Sequence, residues 1–292
     1  RHSGDVDKPR ILEAFNVPTE DWLSFFMFTF FQDRDGKFQL TSLAESGFDP
    51  LSRSCRFMLT EEAHHMFVGE SGVGRVVERS AQLSAEHETL EIGRHGGIPL
   101  AMIQKWINFH FSICLDLFGQ EKSTNAANFY SMGLKGRYNE NKIEDDHLLN
   151  NDGFLVPDLQ NGKVIMSEIS ALTAINERLR NDYRDDCQKG VDRWNRIIEK
   201  ANVDFKLTLP HIAFNRNIGT FQDSNFDLEG NLISAEEFAA NKDTWMPNSK
   251  DREFVKSLMQ RVVEPGKMAG WIAPPSRGIQ GKDIEYEYVI LH

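Results

Sequence analysis

The chain has 292 residues, 40% of them hydrophobic and 21 of them Phe, with a formal net charge of −11. That composition excludes a disordered chain, and the negative charge argues against a nucleic-acid binder, whose phosphate contacts need a basic surface. The three Cys (Cys55, Cys114, Cys187) are too few and too far apart for a disulfide framework, a zinc ribbon or an iron–sulfur cluster, and fit a reducing cytoplasm.

In chain order, residues 1–18 read as a polar lead-in. From Thr19 the run through Trp22 to Phe31 is apolar on nearly every side, which predicts a buried helix. It is too short to span a bilayer, and no signal peptide precedes it, so no membrane association is expected. Arg34-Asp35-Gly36 reads locally as a turn, yet Phe26, Phe30, Asp33, Lys37, Leu40 and Ala44 keep a helical stride, and Gly47-Phe48-Asp49-Pro50 is a better stop and restart. Two readings stand: Asp33 in a solvated turn, or one helix from about Thr19 to Ser46.

A second helix follows, with Asp49 as N-cap and Pro50 at its first position. At helical spacing Cys55, Met58, Leu59, Glu62, His65, Met66, Gly69 and Val73 share an otherwise apolar face. A carboxylate and an imidazole aimed into a core need a partner or a metal. Glu-x-x-His on a bundle helix is half of a carboxylate-bridged di-metal motif, although a solvated polar face formed by Glu61, Glu62, His64 and His65 explains the same letters. If the first helix runs unbroken, Asp33 lies 13 residues before Ser46 and Glu62 lies 12 after Pro50, so the two are level across the hairpin. Asp33, Glu62 and His65 are therefore the candidate metal ligands, with Glu61 and His64 as partners that orient them.

Gly69, Gly72 and Gly74 do not make a dinucleotide fingerprint and point to close helix packing or a local distortion beside the site. Pro99 opens a helix striped by Ile103, Trp106, Ile107, His110 and Cys114, closed by Gly119, and a shorter one is expected over Glu121 to Met132. Asp116 with Glu144 and His147 imitates a second half-site, but the latter two sit in a segment with no apolar face, so they are set aside. A hairpin is predicted about Gln160-Asn161-Gly162, followed by a long helix from Ser167 to about Lys200. The remainder, 201–292, reads as a mixed, loop-rich region packed on the helices. Asn225 to Glu236 is calcium-loop-like, but a turn followed by a short helix from Ser234 is the favoured reading.

Phe25-Phe26-Met27-Phe28-Thr29-Phe30-Phe31-Gln32-Asp33-Arg34-Asp35-Gly36 and Phe57-Met58-Leu59-Thr60-Glu61-Glu62-Ala63-His64-His65-Met66 together resemble the oxygenase components of the benzoyl-CoA 2,3-epoxidase family. The likeness continues through Ser123 to Asn128 and Pro274-Pro275-Ser276-Arg277-Gly278. It implies an all-α, ferritin-like helical bundle over residues 1–200 and a di-iron (Fe) monooxygenase. The implied reaction uses O2 to epoxidise the ring of benzoyl-CoA, with an NADPH-dependent flavin and iron–sulfur reductase as partner. On matching positions Asp33, Glu62 and His65 hold iron. The other half of the ligands is expected on two helices before Arg1, so that this chain is an N-terminally truncated piece, inactive alone, whose Trp22 to Phe31 face lies open. Lys135, Arg137 and Lys142 are candidate contacts for the CoA phosphates. The alternatives are another ferritin-like di-iron oxygenase with a different aromatic or acyl-CoA substrate, and a non-enzymatic iron-handling or interaction protein.

Overall fold

The computed structural model describes residues 12–136 and 153–289. Helix α1 (Trp22–Ala44) starts at Asp21, whose carboxylate accepts hydrogen bonds from the backbone N–H (2.7 Å) and hydroxyl (2.8 Å) of Ser24. It runs unbroken through Asp33-Arg34-Asp35-Gly36, so the turn reading of these residues does not hold. A short connection at Glu45–Phe48 leads to α2 (Asp49–Glu86), with Pro50 in its first turn. At 38 residues α2 is about 57 Å long.

The two helices run antiparallel and in intimate contact. A Cβ on Gly69 would lie 2.7 Å from the carbonyl carbon of Thr29, and one on Gly72 would collide with the ring of Phe26. Near the turn, the Ser52 hydroxyl donates to the Ala44 carbonyl (2.6 Å). In this register Asp33 faces His65 and Glu62 lies beside Gly36. The level count is thus correct to within one turn, with His65 rather than Glu62 opposite Asp33.

Helix α3 (Leu100–Leu115) continues into a 3-10 turn that ends at Gly119, where φ is +82°. The short α4 (Thr124–Ser131) is capped by the Ser123 hydroxyl. Strands β1 (Gly153–Gln160) and β2 (Lys163–Ser170) pair antiparallel about Asn161-Gly162, both in the left-handed region that a tight hairpin turn requires. That pairing carries β2 through Ser170, and the following helix, α5 (Ile175–Lys200), starts after a 3-10 turn. The expected helix start at Ser167 is corrected accordingly. The cross-strand partners of residues 163–170 outweigh the helical stride of Ile169 and Leu172.

Helices α1, α2, α3 and α5 surround one core, in which Phe30, Phe31, Val76, Trp106, Tyr183 and Trp194 are buried. Trp106 donates to the Ser24 hydroxyl (2.9 Å) and Trp194 to the Glu70 carbonyl (3.1 Å), so the indoles join helices as well as fill space. Beyond residue 200, β3 (Asn225–Phe226) and β4 (Leu232–Ile233) form a small hairpin. The Asp227 carboxylate there accepts from the backbone N–H groups of Glu229 and Asn231, which closes a tight turn. Helices α6 (Ala235–Trp245, capped by Ser234) and α7 (Ser249–Leu258, with an Asn248/Asp251 capping box) follow. Parallel bridges β5 (Lys267–Met268) and β6 (Glu287–Tyr288) come last. Leu207, Val255, Leu258, Trp271 and Ile272 enter the main core.

The architecture is predominantly helical. Among the described residues no helix is long and apolar enough to cross a membrane. The Trp22 to Phe31 face is open at Trp22 (54%) and Phe25 (36%) and closed further along the helix. Phe26, Phe30 and Phe31 are buried, and among the described residues the most exposed aromatics lie on α2, at Phe57 (73%) and Phe67 (69%).

Candidate metal centre

Asp33 projects from α1 toward the N-terminal half of α2, where Glu62 and His65 stand one turn apart. The Nδ1 atom of His65 lies 3.7 Å from Asp33 Oδ2 and 3.8 Å from Glu62 Oε2, and ligand atoms of all three residues fall within 4.8 Å of one another. Bonds of about 2.1 Å to a tetrahedral or octahedral ion put neighbouring ligand atoms about 3 to 3.4 Å apart, so a small contraction closes the set. Both carboxylates are largely enclosed, whereas the His65 side chain is 48% exposed. The face that carries Cys55, Glu62 and Gly69 is therefore open at Met58 and His65.

The electrostatics favour a cation. Burial pushes the Asp33 carboxyl up to about 6, the Glu62 carboxylate adds to the rise, and His65 offsets part of it. Burial likewise raises Glu62, with His65 opposing. The Oε2 atom of Glu62 is buried without a hydrogen-bond partner among the described residues. An unpartnered carboxylate oxygen beside a second carboxylate and an imidazole is a donor set that fits a divalent transition metal such as iron.

Glu61 and His64 are exposed and make no hydrogen bond to Asp33, Glu62 or His65 among the described residues, so this geometry does not give them the orienting role expected of them. Lys135 turns inward: burial lowers its pKa and the Asp35 carboxylate opposes that shift. Lys135 is thus half-buried rather than held out on an exposed loop, and it feels the Asp35 carboxylate. Arg137, Lys142, Glu144 and His147 lie outside the described residues. Asp116, the other carboxylate of the apparent second half-site, is held by Arg216 and by the backbone N–H of Asn217 (2.8 Å).

The sequence reading missed two residues beside the site. Asp35 is fully buried on the stripe formed by Phe31, Phe38 and Ser42, and burial pushes its carboxyl up to about 8 while Gln39, Lys135 and Arg180 pull it down. Its place four after Phe31 and three before Phe38 was the signal. Gly36 is the second. The three atoms nearest a Cβ placed there are those of the Glu62 carboxyl group, at 3.4, 3.5 and 3.7 Å.

Two carboxylates and an imidazole converging across a helix hairpin define the chain as a helical protein with a candidate metal centre. No family model matches it. It is 54% identical, over 99% of its length, to benzoyl-CoA oxygenase component B of Aromatoleum evansii, and is a relative of that protein. The chain spans 62% of that relative's length. The match gives a share and not a position, so the expectation of helices missing before Arg1 is not borne out by it.

Proposed function

We propose that this chain supplies three ligands, Asp33, Glu62 and His65, to an iron centre in a benzoyl-CoA oxygenase. The observation that carries the reading is their convergence across the α1–α2 hairpin in a chain 54% identical to a protein named for that activity. The Glu62/His65 pair has the spacing of a ferritin-like di-iron half-site. Among the described residues no second cluster of this kind forms, so a di-iron centre draws its other ligands from elsewhere.

Iron held by Asp33, Glu62 and His65 would supply reductive activation of O2, with one oxygen atom passing to the aromatic ring as the 2,3-epoxide and the other leaving as water at the cost of two electrons and two protons. The residues of this chain do the rest by placement. Asp33 and Glu62 bring negative charge to a site where burial strengthens its attraction for a cation. His65 adds an imidazole nitrogen from the open side. Glu62 keeps one oxygen free of competing hydrogen bonds, and that lone pair faces the space between the three groups. Electrons come from a partner, which "component" in the relative's name suits and which we take to be an NADPH-dependent flavin and iron–sulfur reductase.

The test uses the full-length protein with benzoyl-CoA, NADPH, O2 and the reductase. Expected are stoichiometric iron, an epoxide product, and loss of both in Asp33→Ala, Glu62→Ala and His65→Ala. Iron and oxygen uptake with another acyl-CoA but not with benzoyl-CoA would move the assignment to a different oxygenase. Iron content unchanged in all three variants would remove the metal centre.

A further inference from the structure

Three glycines lie where α1 and α2 meet, and they are not equivalent. Gly69 and Gly72 are required by packing, because a Cβ on either would run into the backbone at Thr29–Phe30 or the ring of Phe26. Gly36 meets no such obstacle. It lies inside a continuous helix, is absent from the residues of positive φ, and a methyl group there would rest at ordinary contact distance from Glu62. Neither backbone conformation nor helix packing explains it, and a glycine in a helix interior costs about 1 kcal/mol relative to alanine.

What Gly36 does border is the Glu62 carboxyl group. The residue stands one turn after Asp33 on the same helix, opposite Glu62 in the hairpin register. Side chains on a helix lean toward its N-terminus, so anything longer than a methyl at position 36 sweeps toward the gap between Asp33 and Glu62. That gap holds the unpartnered Glu62 Oε2.

We propose that Gly36 is a positioning residue of the metal centre. Its missing side chain leaves a slot against α1 in which the Glu62 carboxylate lies with one oxygen toward Asp33 and His65, and the helix gives up intrinsic stability to keep that slot open. The inference rests on the reading of Asp33, Glu62 and His65 as metal ligands.

A set of variants of the full-length protein tests it, with thermal unfolding of the metal-free form and extraction of Fe(II) by a chelator under anaerobic conditions as readouts. Gly36→Ala is expected to melt at or above the wild-type temperature and to hold iron within about threefold of wild type, because a methyl fits. Gly36→Leu, also a good helix former, is expected to lose iron at least about tenfold faster, which corresponds to about 1.4 kcal/mol off the barrier to release. A residue of purely structural importance would move stability and iron retention together, whereas a slot separates them. Where Gly36→Leu lowers the melting temperature, pairing it with Glu62→Ala restores the metal-free protein to the stability of Glu62→Ala alone, since the clash is with that carboxylate. Wild-type iron retention in a folded Gly36→Leu protein, or strict additivity of the two substitutions, overturns the proposal. Iron retention unaffected by Glu62→Ala and His65→Ala overturns the ligand reading itself, and is distinguished by leaving every variant alike.

Discussion

Asp33 and Asp35 stand two residues apart on one helix and meet different environments, because a step of two turns a side chain more than half-way round the axis. Asp33 reaches the half-open groove shared with α2, and Asp35 reaches the core between Phe31 and Phe38. His110 on α3 is a third buried polar residue, fully enclosed, with neither ring nitrogen hydrogen-bonded among the described residues. Burial, helped by Arg252, lowers its pKa to about 3. Between the ordinary value near 6.5 and 3 the unfolded chain binds a proton that the folded one refuses, so stability falls as pH falls through that window, by about 1.4 kcal/mol per unit. His110→Leu is expected to flatten this part of the profile. Denaturant unfolding at pH 7 and pH 4.5 checks it, the difference between wild type and variant growing toward acid.

At the scale of the element, the α1–α2 hairpin is the unit that makes the site. Its closeness comes from Gly69 and Gly72, which let the helices approach until side chains two turns away, Asp33 and His65, come within 3.7 Å. A methyl at either glycine has backbone or ring atoms in its place, so Gly69→Ala and Gly72→Ala are each expected to destabilise by about 1 to 3 kcal/mol despite the better helix propensity. A rise in melting temperature for either would contradict the packing described. The hairpin was largely legible in the sequence, since the stride of Phe26, Phe30 and Asp33 and the Gly47 to Pro50 punctuation placed both helices and named all three converging residues. The exact register was not legible. Residue counts from a turn cannot tell how far the small-residue contacts slide one helix along the other, and the outcome put His65, not Glu62, opposite Asp33. The extent of β2 was misread for a related reason, because pairing with β1 is a non-local interaction that a helical stride in the same letters does not reveal.

At the scale of the whole molecule, a buried ionic network joins the end of α3, the start of α5 and the chain beyond residue 210. Arg180 is held by Glu177, Glu121 (3.2 Å) and the Leu115 carbonyl (3.2 Å). Arg216 is held by Asp116, Glu121 (3.3 Å) and the Ile218 carbonyl (3.0 Å). The three acids and two guanidiniums are nearly all hydrogen-bonded, and removing one partner strands charge in the core. Arg180→Met is expected to cost about 3 to 5 kcal/mol, read as a lowered denaturation midpoint. A change of less than about 1 kcal/mol would mean that water reaches Glu121 and Glu177. A second long-range tie runs over α2, where Arg75 donates to the Ala273 carbonyl (2.7 Å) and Arg79 to the Gly270 carbonyl (2.9 Å).

The sequence by itself determined the helical character, the hairpin and the three candidate ligands, because helical periodicity, turn punctuation and residue chemistry are local properties of the chain. Tertiary structure decided the rest: that Glu61 and His64 face solvent, that Lys135 is half-buried, that Asp116 belongs to Arg216, and that Gly36 borders Glu62. Each of these depends on which surface a neighbouring element covers, and that is settled by packing between residues far apart in the sequence.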